Sequence, residues 1–251
     1  MTPPAAGRLV ILSGPSCVGK SPLDRALARF YPDVHRGLQR LALFNSRAPR
    51  PGERDGVDYH FRRRTQIEAL RIQQRFAVLD VRGDLQALDL ADLGTLLERG
   101  DAFFEGNPFV GRLLQTHPAL AHVRRLSAFL APLSREEILF LADPARHLSL
   151  ADLITDVMRR KLLRRTRRQK GELSFEDLEN IERRARSAFG ELQEAVHFDW
   201  VIPNHDGEDS ENWDAFYFPL GDARRALLAF VGLLEGRIPP CAEKWEAGLL
   251  G

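Results

Sequence analysis

An α/β fold built around a parallel sheet is what this sequence predicts, and three observations predict it. Arg8 to Ser13 (RLVILS) is a short aliphatic run without polar alternation, as expected of a strand covered on both faces. Pro22 to Phe30 places Leu23, Leu27 and Phe30 on one side of a helix. Pro22 is tolerated there because first-turn amides have no intrahelical acceptor to lose. Between the two runs lies the glycine loop GPSCVGKS, so the chain opens as strand, loop, helix.

The rest of the chain extends that pattern. Residues 41–61 are rich in Pro, Gly and Arg and read as a loop-dominated insertion with short strands. Helices are expected at Gln66 to Gln74 and at Leu88 to Arg99, around a strand from Phe76 to Val81. Ala102 to Phe104, Leu126 to Leu130 and Trp200 to Pro203 read as core strands. Leu150 to Leu163 and Phe175 to Val196 have charged helical patterns, and Ala223 to Leu234 forms a last amphipathic helix. The segment from Gly236 onward is expected to be peripheral. There is no internal repeat and no low-complexity tract.

Bulk properties narrow the function classes. A chain of 251 residues can bury a sizeable core. A net charge of +1 gives it no general attraction for nucleic acid or an anionic membrane, so neither is expected as a partner. Two cysteines, Cys17 and Cys241, argue against a disulfide framework and fit a reducing cytosol. No charged and apolar leader opens the sequence and no apolar run approaches 18 residues, so a cytoplasmic protein is expected. His60, His197 and His205 have no metal-ligand spacing with the cysteines.

Gly14, Gly19, Lys20 and Ser21 satisfy the pattern GxxxxGK followed by Ser or Thr. Glycines let the amides of Pro15–Ser16–Cys17–Val18 and their neighbours converge on phosphate oxygens, and the next helix aims its positive end at the same point. Lys20 would reach the outer phosphates of ATP, and the Ser21 hydroxyl would sit on Mg²⁺. The preceding strand and following helix supply the context this motif needs. Cys17, inside the loop, reads as a small filler, although a thiol at a helix start can become reactive.

SGPSCVGKS resembles the GPSGVGKS loop of the guanylate kinase family, with Cys17 in place of a glycine. SRAPRPGERDGVDYHF (residues 46–61) is similar to that family's TRAPRPGExDGxDYxF segment, and IERRARSAFGEL with FDWVIPN resembles its last lid-side helix and DxVIxN strand. The resemblance implies a P-loop NTPase fold: a parallel five-stranded core (5–40, 100–160 and 180–235), a nucleoside-monophosphate domain inserted at about 41–95, a lid at about 161–180, and a tail at 236–251. It implies transfer of the γ-phosphoryl group of ATP to GMP with Mg²⁺, by a monomer or homodimer that binds small nucleotides. Carried over by position, Arg47, Arg50 and Tyr59 would hold the acceptor phosphate, and Glu53 would orient them. Glu105 and Asn107 in FFEGN would stand for the family's LDID aspartates, and Asn204 would lie beside the ATP nucleoside. The basic run RRKLLRRTRRQK (159–170) reads alone as a solvated helix face or a nucleic-acid contact. Placed before IERR, it implies lid arginines at Arg164 and Arg168, joined by Arg184.

Departures from the family pattern leave the phosphate half of the acceptor site largely retained, with one phosphate hydroxyl lost, and alter the base-reading half. VRGDLQALDL replaces a YYG element, Val78 stands where a glutamate reads guanine, and Leu43 replaces a serine. Two rival readings therefore stay open: a kinase for another phosphate monoester, such as a sugar bisphosphate, and a non-catalytic binding module. Retention of Lys20 and Ser21 weighs against the second.

Overall fold

The computed structural model describes residues 7–50 and 52–251. Its chain runs β1 (Leu9–Ser13), α1 (Lys20–Phe30), α2 (Pro32–Arg36), β2 (Leu38–Arg40), β3 (Leu43–Asn45), β4 (Tyr59–Phe61), α3 (Arg64–Glu68), β5 (Phe76–Val81) and β6 (Asp84–Asp89). It continues as α4 (Leu90–Arg99), β7 (Asp101–Gly106), α5 (Pro108–Thr116), β8 (Arg125–Ala131), α6 (Arg135–Leu141), α7 (Leu150–Lys170), α8 (Phe175–Arg186), α9 (Ala188–Gln193), β9 (Trp200–Pro203) and α10 (Gly221–Leu234).

β1 is buried at every position and lies at the centre of a parallel five-stranded sheet of order β2-β7-β1-β8-β9. Its uniform apolarity is explained by two covered faces. Leu9 and Ile11 enter one core with α5, α7, α8 and α9, while Val10 and Leu12 enter the other with α1 and α10. Each of these side chains contributes about 2 kcal/mol of burial. With β7 on one side and β8 on the other, β1 ends at the crevice where an open parallel sheet takes its ligands.

A second sheet, β4-β3-β6-β5, is formed wholly between Leu43 and Asp89. Here the structure differs from the sequence expectation. Leu88 and Asp89 end strand β6 rather than starting a helix, and α4 begins only at Leu90. The Asp89 carboxylate explains the change, because it accepts the amides of Ala91 (3.0 Å) and Asp92 (3.3 Å) and so caps the helix there. Strand alternation also fixes the packing of Val78. It packs with Ile67, Leu85 and Ala87 on one face, whereas Ala77 and Leu79, register partners of Leu88 and Gln86, lie on the other.

α7 is one unbroken helix across the 160/161 boundary expected between core and lid. The segment expected to be continuous from Phe175 to Val196 breaks at Ser187. The tail is not peripheral: Glu243 pairs antiparallel with Val201, and Trp245, Leu249 and Leu250 are buried in the core. Among the described residues, no helix is long and apolar enough to cross a membrane.

Candidate functional site: two anion cradles across one cleft

The first cradle is the loop between β1 and α1. Gly14 (φ 149°) and Gly19 (φ 105°) occupy backbone regions that disfavour side chains. A Cβ at Gly14 would come 2.4 Å from the Leu130 carbonyl oxygen. Gly19 precedes α1 without any side-chain cap, which leaves the helix start to an external anion. Lys20 is buried, and its Nζ donates to the Gly14 and Pro15 carbonyl oxygens, 2.8 Å each. Burial lowers the Lys20 pKa, while Glu208, Glu105 and Glu191 pull it back up.

Cys17 takes φ 67° at the position of the family's glycine. Its thiol is fully buried, and burial, assisted by Glu208, pushes its pKa up to about 12. The reactive alternative is thereby removed. At pH 8 about one thiol in ten thousand is ionised. Iodoacetamide is therefore expected to label the half-buried Cys241 in the native protein and to reach Cys17 only after unfolding, which peptide mass spectrometry reads directly.

Ser21 Oγ donates to Glu105 Oε1 at 3.1 Å, and Arg40 Nη2 donates to Glu105 Oε2 at 3.2 Å. Burial pushes the Glu105 carboxyl up, against the pull of Lys20 and Arg40. A hydroxyl and a carboxylate side by side at the phosphate loop are the hard oxygen donors that Mg²⁺ takes alongside phosphates. The residues present fit that ion.

The second cradle lies on the smaller sheet. Arg47 forks onto Glu53, Nη1 to Oε2 at 2.6 Å and Nη2 to Oε1 at 2.7 Å. The Arg50 amide donates to the same carboxylate at 2.7 Å. The Arg47 guanidinium carbon lies 5.0 Å from the Tyr59 ring centroid and 5.4 Å from that of Phe61. Arg50 keeps a half-exposed guanidinium, lowered by partial burial and then by the charges of Arg47 and Arg165. The Tyr59 hydroxyl is raised by burial, and of the charges around it Arg47 lowers it and Glu105 raises it. Glu105 belongs to the first cradle, so the two face one space.

Cations from α7 and α8 lie between them. Arg184, buried, donates from Nε to Ser16 Oγ at 2.9 Å. Burial, followed by Arg165, Arg50 and Arg82, lowers its pKa well below the arginine range. Four guanidinium groups thus converge where an anion would relieve them. Arg164 and Arg168 do not join this group. Arg164 Nε donates to Asp209 Oδ2 (2.8 Å) and Arg168 Nη2 to Glu211 Oε1 (3.3 Å), both with half or more of the side chain exposed. Arg165 takes the inward position instead.

Two more of the expected site residues are engaged in hydrogen bonds within the chain. The Asn107 amide is engaged at both ends: Oδ1 caps α5 by accepting the Phe109 amide (2.9 Å), and Nδ2 donates to Glu191 (3.1 Å). Glu191 is fully buried and also accepts from Arg82 (2.5 Å) and Ser187 (2.9 Å). Asn204, also fully buried, donates from Nδ2 to the Val18 and Asp206 carbonyl oxygens at 2.8 Å each. It ties the phosphate loop to residues 205–214. Arg82, Arg165, Glu191 and Glu208 escaped the sequence reading. For Arg165 a usable signal was present: it lies about three turns beyond Ile154, on the stripe that carries Met158.

A glycine loop at the switch point of a parallel five-stranded sheet, with an arginine cluster on an attached sheet, gives the chain a P-loop NTPase fold. A sequence profile of the family described as guanylate kinase matches residues 6–83. The guanylate kinase of Corynebacterium diphtheriae is 32% identical over 204 residues, covering 80% of this chain and 89% of that protein. The guanylate kinase of Mycobacterium bovis is 50% identical over 72 residues, and that match spans 29% of this chain and 30% of its length. Among solved structures, guanylate kinase from Anaplasma phagocytophilum superposes with a TM-score of 0.54 at 15% identity, covering 94% of this chain and 89% of the other. The chain belongs to the guanylate kinase family.

Proposed function

We propose that the protein transfers the γ-phosphoryl group of Mg·ATP to GMP. The observation that supports this most is the placement of Arg165 and Arg184 between the phosphate loop and the Arg47–Arg50–Tyr59 cluster, with Arg50 close enough to feel both. Phosphoryl transfer needs little covalent help from a protein. It needs two substrates held end to end and cations where charge spreads over the moving group.

Gly14 to Ser21 would wrap the triphosphate, and Lys20 would exchange its loop carbonyls for phosphate oxygens. Arg47 and Arg50 would grip the acceptor phosphate with Tyr59, while Glu53 fixes the pair of guanidiniums in position. Arg184 and Arg165 would meet the transferring group. Ser21 and Glu105 would hold Mg²⁺, which supplies charge neutralisation at the donor phosphates. No side chain must act as a strong base, since an acceptor phosphate is already anionic at neutral pH.

The test is ADP release from Mg·ATP against a panel of nucleoside monophosphates and sugar phosphates. Turnover with GMP above all others is expected, and turnover confined to another ester would replace the acceptor named here. Arg50→Ala is expected to raise KM for the acceptor about tenfold or more, with KM for ATP little changed, because its guanidinium faces the acceptor side. A change confined to ATP would reassign it.

A further inference from the structure

We propose that residues 206–211 are a built-in occupant of the anion space, with the Glu208 carboxylate standing in for a donor phosphate that must displace it. The inference rests on the reading of the first cradle as a triphosphate site.

Glu208 is mostly buried and accepts from Arg165 Nη1 at 2.7 Å. Burial alone would raise its carboxyl, yet Arg165, Lys20 and Arg184 bring it down to about 2, so it is ionised at neutral pH. Among the charges acting on Lys20, that of Glu208 is the largest. One carboxylate therefore sits in the field of the lysine and both inward arginines that a triphosphate would meet, and offsets part of their charge. Buried cations without a counter-ion are costly, and this segment supplies the counter-ion from within the chain.

The segment is held close by design of its backbone. The Glu208 amide donates to the Cys17 carbonyl oxygen at 3.3 Å. A Cβ at Gly207 would come 2.2 Å from that same oxygen, so a larger residue would lift the segment off the loop. Trp213 Nε1 donates to the carbonyl oxygens of Asp206 (2.8 Å) and Gly207 (3.1 Å). The Asp206 carboxylate accepts from Ser210 (2.7 Å), Asn212 (3.0 Å) and the Ala223 amide (3.0 Å). Next in sequence, Asp209 takes Arg164 and Glu211 takes Arg168, so the segment grips α7 along more than a turn.

A phosphate carries more charge than a carboxylate and meets the same donors with more oxygens. Two anions cannot share the cluster without repulsion, so the nucleotide and Glu208 exclude each other. Apparent affinity for the triphosphate is then reduced by the fraction of molecules in which the segment is seated.

The experiment titrates the Mg²⁺ complex of the β,γ-imido analogue of ATP into the full chain by calorimetry, for wild type and Glu208→Gln. The variant is expected to bind about tenfold more tightly. Hydrogen exchange on the wild type supplies a reading that needs no variant. The analogue should speed exchange in residues 205–211 while slowing it in residues 14–21. Equal or weaker binding by Glu208→Gln, or slower exchange in 205–211, would overturn the inference and leave Glu208 as a support for Arg165. Binding by the wild type without gain in the variant defeats only the occupancy. Absence of binding by either protein defeats the triphosphate reading and this inference with it.

Discussion

Lys20→Ala is expected to lower kcat about a thousandfold at saturating ATP, with a smaller rise in KM for ATP. The size follows from where the ammonium sits. It is buried, held by two carbonyl oxygens of its own loop, and surrounded by the carboxylates of Glu208, Glu105 and Glu191. Such a cation is preorganised, so it stabilises charge on a phosphate without reorienting solvent in the transition state. Both of its hydrogen bonds close within residues 14–20, so the variant breaks no hydrogen bond to another element. Circular dichroism of the variant should match wild type. Lys20→Met, which keeps the stem, should lose kcat equally, which separates charge from packing. Normal turnover in either variant would remove the phosphate loop from the reaction.

The parts of this site that the sequence discloses are those whose chemistry is local. Gly14 and Gly19 are forced by backbone angles and, at Gly14, by a 2.4 Å approach to Leu130, constraints that leave a mark in the residue itself. Arg47, Glu53 and Tyr59 find one another within a single loop, so their spacing carries the geometry. The face of α7 is another matter. Its basic run offers several arginines of equal chemistry, and only packing of Ile154, Met158 and Leu162 decides which turn inward. Glu208 is less legible still. In the sequence it is one acid among several, and what gives it meaning is Arg165, 43 residues away. The expected helix start at Leu88 differs for a related reason: Leu88 and Asp89 could open a helix locally, and their pairing with Ala77 and Phe76 of β5 makes them strand. Tertiary partners overrode local preference there.

Arg165→Ala and Arg164→Ala form the sharper pair of tests, because neighbours in sequence are expected to differ by about two orders of magnitude in kcat. Arg165 is mostly buried, shares the cleft with Arg184 and Arg50, and loses the Glu208 counter-ion if nucleotide takes that place. Its guanidinium is then left facing the transferring phosphate, where a single positioned arginine supplies about a hundredfold or more. Arg164 is largely exposed, and its partner Asp209 has Lys161 as a second cation at 3.6 Å. Removing Arg164 leaves the buried Asp209 carboxylate paired with Lys161, and the Arg164 guanidinium is not among those gathered around Arg184, so its kcat should stay within about twofold of wild type. The two substitutions remove the same side chain from the same helix, which controls for helix propensity and net charge. Comparable losses in both would mean that α7 turns on binding and presents another face, and the inward role would pass from Arg165 to the Arg164–Arg168 stripe.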